Sequence, residues 1–269
     1  MEALHHELLI VQIVNWLLGP LVAAALKPLG FVWAPGEHVI PDYLVIAGLI
    51  VLAATIGCLL IRSRLSVDNP GKTQILLEDG VGAVQSLLEE WIGPKGRRYL
   101  PLVGSIGVFV LASNYAGLIP GLMAPTSSIN VTLGCALTVW VFYHAQGVRE
   151  QGVWNYAKHF AVPPGSSAVL APIMLPIEII SHISRVLSLS LRLFGNIFGE
   201  ELVIAILFSI IPLFVPLPMM FLGLITGGLQ AFIFVLLTVI YLQGAVTIEH
   251  HDETHGDEHG HGEAAPAHA

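Results

Sequence analysis

The stretch PIEIISHISRVLSLSLRLFGNIFGEELVIAILFSI, residues 176–210, decides the fold. After its opening proline it runs to Ile210 without a breaker. As a helix rising about 1.5 Å per residue it would be roughly 52 Å long, against a hydrocarbon core of about 30 Å. It is too apolar to project into water and too long to stand upright. A transmembrane helix tilted well beyond the usual ~20° meets both constraints. A second run, Leu217 to Ile248, is nearly as long, roughly 48 Å on the same rise. Pro212 to Pro218 makes the turn between them. The expectation over 172–248 is therefore a long, strongly tilted helical hairpin.

Composition agrees with a membrane setting. Of 269 residues 55% are hydrophobic and only 11% charged, and mean hydropathy is +0.77. A soluble domain carries about 25% charged residues, and so few charges would leave large apolar patches in water. The net charge of −8 comes mostly from six acids in residues 249–269, where neither Lys nor Arg occurs. Attraction for nucleic acid has no support. Cys58 and Cys135 both lie in apolar runs, so no disulfide framework is implied.

Three more spans precede the hairpin: Tyr43 to Ile61, Tyr99 to Ile119 and Ile129 to Gln146. The fold class is an all-α polytopic membrane protein with about five transmembrane helices. Residues 72–93 mix acids with Ile75, Leu76, Val84, Leu87, Leu88 and Trp91, the pattern of an amphipathic helix on the cytoplasmic surface. Residues 1–40 form an extracytoplasmic or interfacial segment. Its apolar stretch from Leu8 to Leu26 is broken by Gln12, Asn15 and Gly19-Pro20, which favours partial insertion over a true span. The channel domain is 41–248, and 249–269 is an acidic, histidine-rich cytoplasmic tail expected to be disordered. Arg62, Arg64, Lys72, Lys95, Arg97, Arg98, Arg149 and Lys158 fall in two segments on one side, and only Lys27 falls on the other. That bias places the two segments in the cytoplasm, the N-terminus outside and the C-terminus inside. Trp16, Trp33, Trp91 and Trp154 fit interfacial anchoring.

The first long helix carries Glu178, His182, Arg185, Arg192, Asn196, Glu200 and Glu201. An ionisable residue inside a span costs about 2.5–3.5 kcal/mol on insertion scales and defaults to a functional candidate. At 100° per residue all but Glu201 fit within an arc of about 80°, and Glu201 points away from Arg192. Ser181, Ser184, Ser188, Gly195 and Gly199 run beside them, small enough for another helix to approach closely. Glu178 with Arg185 or His182 is also compatible with a plain salt bridge holding the bundle. Arg192 is different: no acid stands three or four residues away, and its guanidinium cannot shed its proton. It needs an anionic partner, from a bent-back acid or from another subunit.

These residues identify a family. Ser188-Leu-Ser-Leu-Arg192-Leu-Phe-Gly-Asn196, then Gly199-Glu-Glu201-Leu, then Leu229-Gln230-Ala-Phe-Ile-Phe234 closely resemble the signature of subunit a of F-type ATP synthases. Asn114-Tyr-Ala-Gly-Leu-Ile-Pro-Gly121 looks like that family's earlier span motif, and Pro176-Ile-Glu178 fits its position ahead of the arginine. The resemblance covers most of 71–243. It implies a proton-channel stator subunit of the cell (inner) membrane, with the c-ring proteolipids, the peripheral-stalk b subunits and the rest of the synthase as partners. It implies no cofactor and no catalytic site in this chain. Arg192 would face the rotating ring and meet each ring carboxylate in turn. Asn196, Glu201, Gln230 and Asn114 resemble groups lining the outer half-channel, and Glu178 and Ser188 groups lining the inner one. Some members carry a histidine seven residues before the glutamine; here that position is Gly223. The outer relay then falls to Glu200 or Glu201.

Two other classes compete. A metal-ion transporter is suggested by His182 and the six tail histidines, but paired His or Asp ligands on facing spans are missing. A non-transporting scaffold would use the same charges as structural ion pairs. P-loop, HExxH and GxSxG patterns are absent from the sequence.

Overall fold

The computed structural model describes residues 9–29, 38–66, 70–119, 121–154, 156, 171–210, 214 and 216–246. The tail at 249–269, the Pro163-Pro164-Gly165 segment and most of the turn between the long helices lie outside them. Among the described residues seven α-helices follow one another: α1 (Leu9–Leu26), α2 (Asp42–Arg62), α3 (Lys72–Ile92), α4 (Leu100–Ala116), α5 (Ile129–Gln151), α6 (Ala171–Ile210) and α7 (Pro216–Val246). Among the described residues there is no β-strand. Five helical stretches are long and apolar enough to cross a membrane, and they belong to α2, α4, α5, α6 and α7. The chain is an all-α polytopic membrane protein.

Helices α3, α4 and α5 end for local reasons. Gly93 (φ 88°) and Gly152 (φ 78°) stop α3 and α5 in the left-handed region that disfavours a Cβ. α5 continues five residues past Gln146, where the third span was expected to end. Glu150 in this extra turn is bound by Arg98, and Gln151 Nε2 donates to the Ala245 carbonyl at 2.9 Å. α4 ends at Ala116, short of the expected Ile119, because Gly117 and Leu118 turn the chain. α6 begins at Ala171, ahead of Pro176, which lies inside the helix. Pro176 is the sixth residue of the helix, past the first four free N–H groups, so it removes the one ladder bond that would end on the Pro172 carbonyl.

α7 is the centre of the bundle. Phe234, Val235, Val239 and Leu242 are buried on it against Val103 and Val110 of α4, Ala136 and Val139 of α5, and Leu189 and Leu193 of α6. Small residues bring α4 and α7 close: a Cβ on Gly107 would sit 2.7 Å from Val235, and one on Gly228 2.7 Å from the Tyr115 hydroxyl. α3 joins the same core through Leu88, with Tyr99 beside it. α1 is tied to the start of α2 by Asn15, whose side chain exchanges two hydrogen bonds with the backbone of Ile40 at 2.9 and 3.0 Å. α6 is packed along one face only, so Ile177, Ile180, Leu187, Leu191, Leu202 and Ile206 are exposed on it.

Candidate functional site

α6 runs between two polar clusters. One lies at the end of the bundle that bears Arg98 and Arg149, here the basic end. Glu178 Oε1 is 3.1 Å from His182 Nε2, one turn along the helix. His182 Nδ1 is 2.7 Å from the Tyr143 hydroxyl on α5. The His144 ring lies 4.8 Å from the His182 ring, and His144 Nδ1 is 2.6 Å from the Tyr156 hydroxyl. The Arg185 guanidinium sits over the Tyr241 ring of α7 at 5.7 Å, a cation–π contact. Of the two salt bridges open to Glu178, the structure has the one with His182.

At the opposite end α6 and α7 enclose a cavity of about 250 Å³. Asn196, Glu200, Thr226 and Gln230 supply its polar wall. Asn196 Nδ2 donates to Gln230 Oε1 at 2.7 Å, and the Thr226 hydroxyl donates to Glu200 Oε2 at 3.0 Å. Gln230 is buried, and its Nε2 has no partner among the described residues. The Glu200 carboxylate also lies against Gly223: a Cβ there would meet Glu200 Oε1 at 1.6 Å. Glycine at 223 and glutamate at 200 are thus one packing solution, and a larger residue at 223 would need the space that the carboxylate fills.

Glu201 faces the other way, as its helical angle requires. Its Oε1 accepts the Ala124 N–H at 2.7 Å, and a Cβ on Gly117 would come within 2.8 Å of the same oxygen. Asn114 is spent in the same region: its Nδ2 donates to the Gly227 carbonyl at 3.0 Å, and its Oδ1 accepts the Thr126 hydroxyl at 2.8 Å. Glu201 and Asn114 therefore fasten the 117–128 connection to the bundle, while Asn196, Glu200 and Gln230 come together around the cavity.

Between the two ends stands Arg192. It is exposed, as are Ser184, Ser188, Leu191 and Gly195 around it. Among the described residues it has no hydrogen-bond or ion-pair partner. Glu178, Glu200 and Glu201 do not bend back to it. They are held by His182, Thr226 and the Ala124 N–H. Among the described residues no group of three or more His, Cys, Asp or Glu side chains could hold a metal ion. Sequence reasoning passed over Tyr143, His144, Tyr156, Thr126 and Thr226. A histidine inside the apolar run of α5 was the one available signal, since the others gain meaning only through contacts distant in sequence.

Fold and site together define a class: a helical integral membrane protein with ionisable side chains aligned along one long helix and a cation on its free face. Within that class the chain belongs to the ATP synthase A chain family, whose profile matches residues 43–243. It is 44% identical over 227 residues to the ATP synthase subunit a of Citrifermentans bemidjiense, covering 84% of this chain and 94% of that one. It is 39% identical over 245 residues to the ATP synthase subunit a of Geobacter sulfurreducens, covering 91% and 99%. ATP synthase subunit a 1 of Syntrophotalea carbinolica is 46% identical over 204 residues, covering 76% and 85%.

Proposed function

We propose that this chain is the proton-channel stator subunit of a rotary ATP synthase in the cell (inner) membrane, with no catalytic site of its own. Its partners are a ring of c-type proteolipids, the peripheral-stalk b subunits and the rest of the complex. The observation that carries this is Arg192, an exposed cation with no partner among the described residues, set among serine and glycine on the free face of α6. A permanent charge there is costly in a bilayer, and an anion brought by an outside partner offsets that cost. A rotor carboxylate supplies such an anion and can be neutralised by a proton.

The chemistry follows from charge. Asn196, Glu200 and Gln230 around the cavity, with Glu201 and Asn114 behind them, line the outer half-channel. Glu178 and Ser188 line the inner one, at the basic and hence cytoplasmic end; the N-terminus is outside and the C-terminus inside. A proton arriving through the outer path neutralises a rotor carboxylate, which then enters lipid at low cost. On the inner side the carboxylate releases its proton as Arg192 attracts the anion. Arg192 stands between the two paths, so protons do not cross without rotation. The tilt of α6 and α7 lets one helix pair serve both ends. The test is isolation in mild detergent: this chain should bring down a small proteolipid with a mid-membrane carboxylate, and Arg192→Ala should abolish ATP-driven pumping. A metal transporter or a scaffold predicts neither result.

A further inference from the structure

The basic-end cluster holds a buried histidine that the arginine mechanism does not use. His182 is 10% exposed in its side chain, whereas its partner Glu178 is 30% exposed. The carboxylate therefore reaches the open side while the imidazole lies behind it, clamped from α5 by the Tyr143 hydroxyl. The two ring nitrogens are thus engaged by a titratable group on one side and by a hydroxyl on the other. A hydroxyl can donate or accept, so it suits either tautomer and the imidazolium alike.

We propose that His182 is a proton-exchanging partner of Glu178, positioned by Tyr143, so that protons on the inner path are shared across the Glu178–His182 contact. This rests on the channel reading given above. In the forward step protonated Glu178 passes its proton to His182 Nε2 while Nδ1–H donates to the Tyr143 oxygen, giving carboxylate and imidazolium. The return step reverses it, and no other reactant is needed. Among the described residues, the other titratable or charged groups near His182 are Arg185 on its own helix, His144 on α5, Tyr156 beyond α5 and Tyr241 on α7. Arg185 is a fixed cation three residues further along α6. Burial pushes the Tyr156 phenol up to about 12, so it keeps its proton and its hydrogen bond to His144.

A structural brace and a proton partner are separated by His182→Gln, whose amide can still donate to Glu178 but cannot take a proton. Vesicles carrying the intact complex are assayed for passive proton conduction and ATP-driven pumping across a pH series. His182→Gln should assemble, lose about tenfold in both rates, lose a limb of the pH profile and recover in part with added imidazole. A wild-type rate and profile in this variant overturn the proposal. If His182→Gln fails to assemble, Tyr143→Phe decides: a displaced pH profile supports the proposal and an unchanged one overturns it. Arg192→Ala is assayed alongside; retained coupling there refutes the channel reading itself, whatever His182 does.

Discussion

The two faces of α6 carry similar side chains and treat them differently. On the packed face Ser190 meets Thr132 at 3.2 Å, Glu201 takes the Ala124 N–H and His182 is pinned by Tyr143. Polar groups there are partnered within the chain, as burial in a low-dielectric interior demands. On the free face Ser188 and Arg192 are exposed, and the arginine has no partner among the described residues. An unpaired polar group inside a membrane is costly on either face, so the second face is built for something outside this chain. The lesson concerns the free face: a polar group there that meets no partner inside the chain is one that meets something outside it.

Arg192→Ala breaks the comparison where it is sharpest. Coupled ATP synthesis and ATP-driven pumping should vanish, while passive proton leak through the membrane sector persists or rises. The complex should still assemble, because Arg192 braces nothing among the described residues. Arg192→Lys keeps a charge but loses the planar fork and can deprotonate when desolvated. It should fail in coupling and restrain the leak better than alanine. Pumping and leak in inverted vesicles at matched expression measure both, and coupled pumping in the alanine variant would make Arg192 a structural residue.

Next in size is Glu200, the carboxylate of the cavity. Glu200→Gln keeps the shape and an acceptor for Thr226 but cannot carry a proton. Pumping should fall roughly tenfold to a hundredfold, with coupling intact because Arg192 remains. Gly223→Ala should act on the same step, since its methyl group displaces the Glu200 carboxylate. Near-normal pumping with Glu200→Gln would shift the relay to Glu201 and remove the cavity from the path.

Glu201→Gln should do less. The amide oxygen still accepts the Ala124 N–H, so the loop stays fastened, though by a neutral rather than a charged acceptor. The expected cost is about 1 kcal/mol of stability, with slower pumping and no uncoupling. Thermal denaturation of the purified complex and pumping rates check the two parts. A loss as large as that of Glu200→Gln would mean that both carboxylates relay protons.

Much of this was legible in the sequence. Apolar run length located the five membrane-length helices, and the ends of α2 and α3 fall within a residue of expectation. Helical angle alone placed Glu201 opposite Arg192. What stayed hidden depends on neighbours far along the chain. That Gly223 is an absence filled by Glu200 requires α6 and α7 side by side. That the Arg185 guanidinium lies over the Tyr241 ring, while Glu178 pairs with His182, appears only once α6 and α7 are packed. Asn114 looked like a channel group, and its two bonds to Gly227 and Thr126 appear only once α4, α7 and the 125–127 turn are packed.

The smallest effect should come from Ser190, which shares the polarity of Ser188 but lies on the packed face. Among the described residues its hydroxyl meets only Thr132, and Thr132 Oγ1 also has the Ile129 carbonyl at 3.1 Å. In Ser190→Ala the threonine keeps that acceptor, so no buried donor is orphaned. Hydrogen bonds between membrane helices average only about 0.6 kcal/mol. Pumping, coupling and leak should therefore match the wild type, with a drop in thermal stability near the limit of detection. Ser188→Leu, two residues away and of similar chemistry before substitution, should by contrast obstruct whatever approaches Arg192 and slow pumping. If the two variants behave alike, the division of α6 into a holding face and an acting face is wrong at its simplest point. If only Ser188→Leu matters, the division holds where neither charge nor titration can account for the difference.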